Sequence, residues 1–461
     1  MSQFFTRRKL STAIFLLSQP FITFSVFAAG FQINEISPAL QGDATAGSAA
    51  ANNDVSAMLI NPATLASLKR NQIYIGASEI LPRIDMSDAS AIHTINIPGD
   101  PPSNISAEVL GEDSQGNISQ GAFVPTAYFG IRINPCLVAG LSITAPFGLK
   151  THYDNDSVVR FAADYSAVQT VNIAPAIAWS FNQYWDVGVG FQAQFMKATF
   201  SNYNGAYTGI SEVDAFIAST QPTLLDAHGW GYGFTLGAVF KPFPSTRIGL
   251  GFRSQISEQL RGNGDQFVVP GDISLAPSQE FPSNAHTSVS GAIKTPAVLN
   301  LSAAHDYYRW TFKGTVQMNF WQTFNQISIN MPDAFATNST IPTHWQNTWF
   351  AALGAEYRIT PCITLRGGVA YDETPTRDEY RDPRIPDSDR YWANLGATWK
   401  LNECWSFDAA YSHIFMNGQT VDVTQLSGTN PIATIPLEEN EVYAKYHGHA
   451  DVVALAVRFS F

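Results

Sequence analysis

From Gln72 onward apolar and polar residues alternate one by one, in runs of about 12 to 18 that exceed the usual strand of a soluble domain. Trp185, Val187, Val189, Phe191, Ala193 and Phe195 share one face, and Asp186, Gly188, Gly190, Gln192 and Gln194 share the other. The pattern returns at Trp310, Phe312 and Val316, at Tyr391, Ala393 and Leu395, and in the closing run Val453, Leu455, Val457, Phe459 and Phe461. A soluble β-sandwich also alternates, so the period alone leaves two architectures open. Aromatic residues at the run ends separate them: Trp185, Tyr308, Trp310, Trp399 and Trp405 stand where a membrane barrel carries its interfacial girdle. Fourteen strands are predicted, near 72–86, 120–133, 137–152, 164–181, 184–201, 229–242, 245–261, 285–305, 308–328, 345–359, 362–375, 388–401, 404–419 and 446–461. Tight links at 134–136, 182–183, 242–244, 306–307, 360–361 and 402–403 alternate with long ones near 87–119, 202–228, 262–284, 329–344 and 420–445. Short and long connections in turn are the mark of periplasmic turns and extracellular loops. The expected fold is all-β, a fourteen-stranded antiparallel transmembrane β-barrel.

What precedes the strands differs in kind. Residues 1–28 carry Arg7, Arg8 and Lys9, then an apolar run, then the small residues Val26 and Ala28, the layout of a cleavable export signal. The mature chain is expected to begin at Ala29. Residues 29–70 are rich in Ala and Gly, and their far end reads as two short helices meeting at a corner. Asp54 caps the first, and Asn61 caps the second with Pro62 at its first turn and Ala63 behind it. A barrel of this width leaves a lumen that its own side chains cannot fill. The 29–70 segment is expected to fill it as a hatch, with the barrel proper over 71–461.

Composition narrows the function. Formal charge is −12, and loss of Arg7, Arg8 and Lys9 with the leader takes it to about −15, which argues against a nucleic-acid partner. Beyond residue 28 no apolar run reaches the roughly 18 residues of a membrane helix. Cys136, Cys362 and Cys404 lie beside short turns and read as free thiols. His447, His449 and Asp451 could be drawn as a metal site, but alternation reads them as a polar row facing the lumen. Asp387, Asp389 and Arg390 could be drawn as acid and base, with an ion-paired loop end as the better reading. No nucleophile elbow, phosphate loop or paired Cys-x-x-Cys occurs. No cofactor, metal or catalytic residue is expected.

The run Ala29-Gly30-Phe31-Gln32-Ile33-Asn34-Glu35, the Asn61-Pro62-Ala63 corner and Ile385-Pro386-Asp387-Ser388-Asp389-Arg390-Tyr391-Trp392 resemble the FadL family of outer-membrane long-chain fatty acid transporters. The resemblance implies a hatch carrying Asn61, Pro62 and Ala63, and an internal ligand pocket touched by the N-terminal Gly30, Phe31 and Gln32. It also implies a lateral gate at a kink in the third strand, at Pro146, Phe147 and Gly148. Proline removes a ladder donor there and glycine marks a bulge. In the 202–228 connection Val213, Phe216 and Ile217 stand at helical spacing, with Leu224, Leu225 and Trp230 nearby; they are expected to form an entrance groove or to pack on another loop. Asn202 and Gln346 stand where the better-known family member carries an arginine and a lysine at the ligand's head group. That departure leaves room for a neutral cargo, unless Lys197 or another lumen cation compensates.

The expected activity is passive uptake of long-chain fatty acids or similar hydrophobic compounds by a bacterial outer-membrane monomer, with outer-membrane lipid as its surroundings. A general porin, an adhesin or receptor barrel without a hydrophobic ligand, and a lipid-hydrolysing barrel are the alternatives.

Overall fold

In hydrocarbon every backbone N–H and C=O must find its partner within the protein, and a strand can do so only in a sheet that closes on itself. The computed structural model describes residues 30–97, 103–203, 205–206, 217–218, 222–267, 284–331, 338–429 and 436–461. Fourteen antiparallel strands form the wall. They are β1 (Gln72–Ile97), β2 (Ala122–Arg132), β3 (Leu137–Thr144, resuming at Gly148–His152), β4 (Tyr165–Ser180), β5 (Trp185–Asn202), β6 (Thr223–Phe243) and β7 (Thr246–Arg253, then Ile256–Phe267). There follow β8 (Asn284–Thr295, then Val298–Tyr307), β9 (Trp310–Asn319, then Gln326–Asn330), β10 (Asn338–Pro342, then Thr348–Arg358), β11 (Ile363–Asp372), β12 (Arg390–Lys400), β13 (Trp405–Met416, then Gln419–Thr429) and β14 (Pro436–Ser460). Each pairs with the next, and β14 returns to β1 over Gln72↔Ser460 through Ile95↔Glu438, so the sheet is closed.

The apolar face looks outward. Val187, Val189, Phe191, Leu353, Leu395 and Leu455 are exposed, while Asp186, Gln192, Gln194, Asn394 and Asp408 are buried in the interior. Three of the short turns owe their shape to an asparagine. Asn134 Oδ1 accepts from the N–H groups of Cys136 and Leu137, Asn182 Oδ1 from those of Tyr184 and Trp185, and Asn402 Oδ1 from those of Cys404 and Trp405. Cys136 and Cys404 lie in two of these turns and Cys362 in one held by Thr360 Oγ1, and all three are free.

Several expectations are corrected. Strands β1, β6, β13 and β14 run past their predicted ends, because pairing continues after the outer face leaves lipid and turns polar. The same change of surroundings reverses the histidine row: with Val453 and Leu455 pointing out, Asp451, His449 and His447 also point out, and Asp451 accepts from Tyr411 Oη and pairs with His413. No metal-binding group occurs among the described residues. Lys197 is likewise on the outer face, 2.7 Å from Asp226, and is no lumen cation. Five predicted strands are interrupted, at 145–147, 254–255, 296–297, 320–325 and 417–418. The inward parity changes across the breaks in β3, β7 and β8: Val138 and Ser142 face in before the first, Leu149 and Thr151 after it.

Residues 30–68 lie against the inward faces of strands from both sides of the barrel. Val55, Met58 and Leu65 pack with Tyr74, Tyr128 and Val138, whereas Ala44 and Ala46 pack with Phe350 and Ala352. The two short helices of the corner are of the tighter kind. Val55–Leu59 and Pro62–Ser67 are 3₁₀ helices, whose i to i+3 bonding suits short pieces. Their caps are those expected: Asp54 accepts from the Ser56 N–H, and Asn61 from the Ala63 N–H.

Candidate functional site

Three breaks, those in β3, β9 and β10, meet in one chamber around Phe31. The Phe31 ring lies 5.7 Å from Phe147, 4.9 Å from Trp321, 5.3 Å from Phe324 and 5.7 Å from Trp345. Such tilted and edge-on contacts add to simple area burial. Phe147 comes from the break in β3, and Trp321 and Phe324 from the break in β9. Trp345 lies between the two halves of β10.

Backbone pairing joins this cluster to the wall. The Ile33 N–H donates to Pro146 O at 2.9 Å and the Gly148 N–H donates to Phe31 O at 2.8 Å. Gln32 thus faces Phe147 across a one-residue antiparallel bridge. The broken strand needs such a partner. Its first half pairs with β2 only as far as Ile143↔Ala127, and its second half pairs with β4 but touches the β2 side through the single bridge Ser119↔Thr151. Phe147 also turns to β4: Thr170 Oγ1 accepts from its N–H and donates to its carbonyl. Among the described residues the seam between β2 and β3 is therefore open from Ala127 to Ser119, with Phe31–Ile33 bonded to its inner edge.

Gly30 anchors the end of this run. Its φ of +63° is the left-handed region, and an added Cβ would fall 2.5 Å from the Trp345 ring. Its N–H donates to Asp387 Oδ2 at 2.8 Å. Asp387 in turn pairs with Arg390 and accepts from Thr374, while Asp389 accepts from Tyr371 and Thr374. The Asp387–Arg390 pair is thus a buried anchor for the N-terminal run.

The Asn61-Pro62-Ala63 corner sits elsewhere. Asn61 Nδ2 donates to Ala49 O at 2.6 Å and to Ala238 O of β6 at 3.0 Å. A Cβ at Gly237 would meet Asn61 Oδ1 at 1.8 Å, and one at Gly249 would meet Ala49 O at 1.8 Å, so only glycine admits the corner at this wall. A chain of ion pairs holds the rest. It runs from Asp43 to Lys313 (2.7 Å), Glu356 (2.5 Å), Arg366 (3.0 Å), Asp408 (3.5 Å), Arg458 (3.4 Å) and back to Asp54 (3.4 Å).

The expected entrance groove does not assemble as read. Val213 and Phe216 lie outside the described residues, and the backbone at Ile217 pairs with Ala206 as a short strand, not a helix. Leu224, Leu225 and Trp230 belong to β6. Leu224 and Trp230 face outward, whereas Leu225 faces in and lines a small apolar cavity with Leu260, Val289 and Ile327. Asn202 and Gln346 direct their amides to backbone carbonyls. Sequence reasoning missed Trp321, Phe324, Trp345 and Arg253. The one signal was Trp321 directly after Phe320, two aromatics in succession where alternation asks for one.

Residues 20–461 match the family described as outer membrane protein transport protein (OMPP1/FadL/TodX). The chain is 26% identical to the long-chain fatty acid transport protein of Escherichia coli O6:H1, over 92% of this chain and 94% of the relative. It is 26% identical to outer membrane protein P1 of Haemophilus influenzae (strain Rd), over 94% and 95%. Among solved structures, a Pseudomonas aeruginosa FadL homologue superposes with a TM-score of 0.78 at 24% identity, covering 94% of this chain and 100% of that one. The Ralstonia pickettii toluene transporter TbuX superposes at 0.63 and 17% identity, with the same coverage.

Proposed function

This chain belongs to the OMPP1/FadL/TodX family of outer-membrane transport proteins, and from that premise we propose that it takes up a long-chain fatty acid or a similar hydrophobic compound by passive lateral diffusion. Residues 29–70 act as the hatch. Cargo occupies the aromatic chamber by displacing Phe31, and the withdrawal of Gly30, Phe31 and Gln32 uncovers the gap at Pro146, Phe147 and Gly148. The cargo then leaves sideways into the outer membrane without crossing water. No chemical step is involved, and a single barrel suffices.

One observation carries the reading: the third strand is interrupted at its inner edge, and what bonds to that edge is the segment bearing Phe31. An immobile wall would gain more from a continuous strand, because each backbone group left unpaired in hydrocarbon costs several kcal/mol. The test follows from the phase change. Deleting residues 145–147 puts Gly148 after Thr144, restores strict alternation from Val138 to Thr151 and lets β3 pair with β2 throughout. Cells depending on this protein should then lose oleate uptake while the barrel still inserts. Uptake at the unaltered rate would eliminate the lateral route.

A further inference from the structure

The geometry points to a carboxylate site at Arg253, which makes the cargo an anionic amphiphile; the inference rests on the transport reading above and names the head group it leaves open. Arg253 ends the first half of β7, at the parity change, and its side chain turns into the lumen. The guanidinium stacks over the Phe147 ring at 5.1 Å. Among the described residues it joins no ion pair, and its buried Nη2 has no hydrogen-bond acceptor. That isolation sets it apart from the charges lower in the lumen, where Lys313, Arg366 and Arg458 each touch two carboxylates.

Arg253 as a whole is half-buried, but its Nη2 is shut off from solvent, and a guanidinium N–H so placed with neither acceptor nor anion is costly unless something supplies them. Beside it lies a cavity of about 40 Å³. A water needs about 10–15 Å³ of such space, so the two oxygens of a carboxylate fit and an acyl chain does not. The polar neighbours Gln32, Asn34, Thr45, Ser48, Asn300 and Gln317 are uncharged, and no carboxylate lines the cavity. Ser48 is fully buried and its Oγ is a second group without a partner. Arg253 Nη2 and Ser48 Oγ are therefore two unused donors in a cavity with one positive charge, the donor set that an anionic oxygen pair requires. The apolar tail has its place on the other side of Phe147, in the chamber around Phe31. Gln32 and Asn34 come from the same segment that bonds to the third strand, so the head group would lie against the element that moves.

The experiment compares two ligands that differ only in the head group: a brominated fatty acid and the brominated alcohol of equal chain length. Each is titrated against the mature protein in a maltoside detergent, with quenching of tryptophan fluorescence as the readout. The wild type is expected to bind the acid about 10- to 100-fold more tightly than the alcohol. Arg253→Gln should weaken the acid to the level of the alcohol and leave the alcohol unchanged. Arg253→Lys should keep part of the preference, and Ser48→Ala should reduce it severalfold, which tests the site even if one variant fails to fold. An acid-to-alcohol ratio that stays the same in all four proteins would overturn the carboxylate site and leave hydrophobic transport standing. Failure of both ligands to bind the wild type would overturn the transport reading itself.

Discussion

Two parts of the N-terminal segment meet the same wall by different means. From Asp43 to Leu68 the contact is fixed: ion pairs run through Lys313, Glu356, Arg366, Asp408 and Arg458, and glycine walls at Gly237 and Gly249 let backbone approach backbone. From Gly30 to Asn34 the contact is two backbone hydrogen bonds, the Gly30 N–H on Asp387, a long 3.4 Å hydrogen bond from the Asn34 amide to Asp372, and a set of aromatic rings. Buried ion pairs hold one geometry and are strongly destabilising when half is removed. Aromatic rings, by contrast, can exchange one partner for another of like shape. In the proposed mechanism the lower part serves closure and the upper part motion.

The comparison can be broken from the lower side first. Gly249→Val would place side-chain atoms on the Ala49 carbonyl, with a loss beyond about 4–5 kcal/mol in the seating of the segment. Planar-bilayer recordings should show an open channel where the parent barely conducts. Lys313→Met is next. It leaves Asp43 buried without its cation, at about 3–5 kcal/mol, and should lower the unfolding temperature in detergent while Phe31 stays in its chamber. If either substitution left conductance and stability as they were, the lower part would not be the fixed one.

The third test sharpens the upper side. Glu35 is fully buried between the two parts, and burial pushes its carboxyl up to about 7, with the Arg390 charge offsetting only part of that. Its folded value lies above its ordinary one, so the neutral form favours the docked segment. This stabilisation is complete below about 4.5 and is lost as pH rises through 7. Labelling of a cysteine placed at Asn34 should therefore speed up between pH 5 and pH 8, by tenfold or more. With Glu35→Gln added, the rate should no longer follow pH across that window beyond the thiol's own ionisation.

The wall was legible because it obeys one rule. Period-two alternation, girdle aromatics such as Trp185 and Trp399, and asparagine turns such as Asn134 and Asn402 are local signals, and they yielded the strand count and the connections. The corner at Asn61 was legible for the same reason, since its cap is set within two residues. The chamber was not, because it is made where the rule fails. Arg253, Phe147, Trp321 and Trp345 come together only through breaks at four levels of sequence, and a break reads locally as noise in the alternation. The outward direction of His449 and Asp451 was available from Val453 and Leu455 by parity. It was missed because polar residues were assumed to seek the lumen, whereas above the apolar band the outer face is wet as well.

The central claim is that Phe31–Ile33 must leave the edge of the broken third strand for cargo to pass. Gln32 and Phe147 form the pair between the two hydrogen bonds, the close pair of an antiparallel ladder, with Cα atoms about 4.5 Å apart. A disulfide can span that distance. With Cys136, Cys362 and Cys404 replaced by serine, Gln32→Cys and Phe147→Cys should cross-link on oxidation, and oleate uptake should stop and return on reduction. Cross-linked protein that transports as fast as the reduced form would contradict the account.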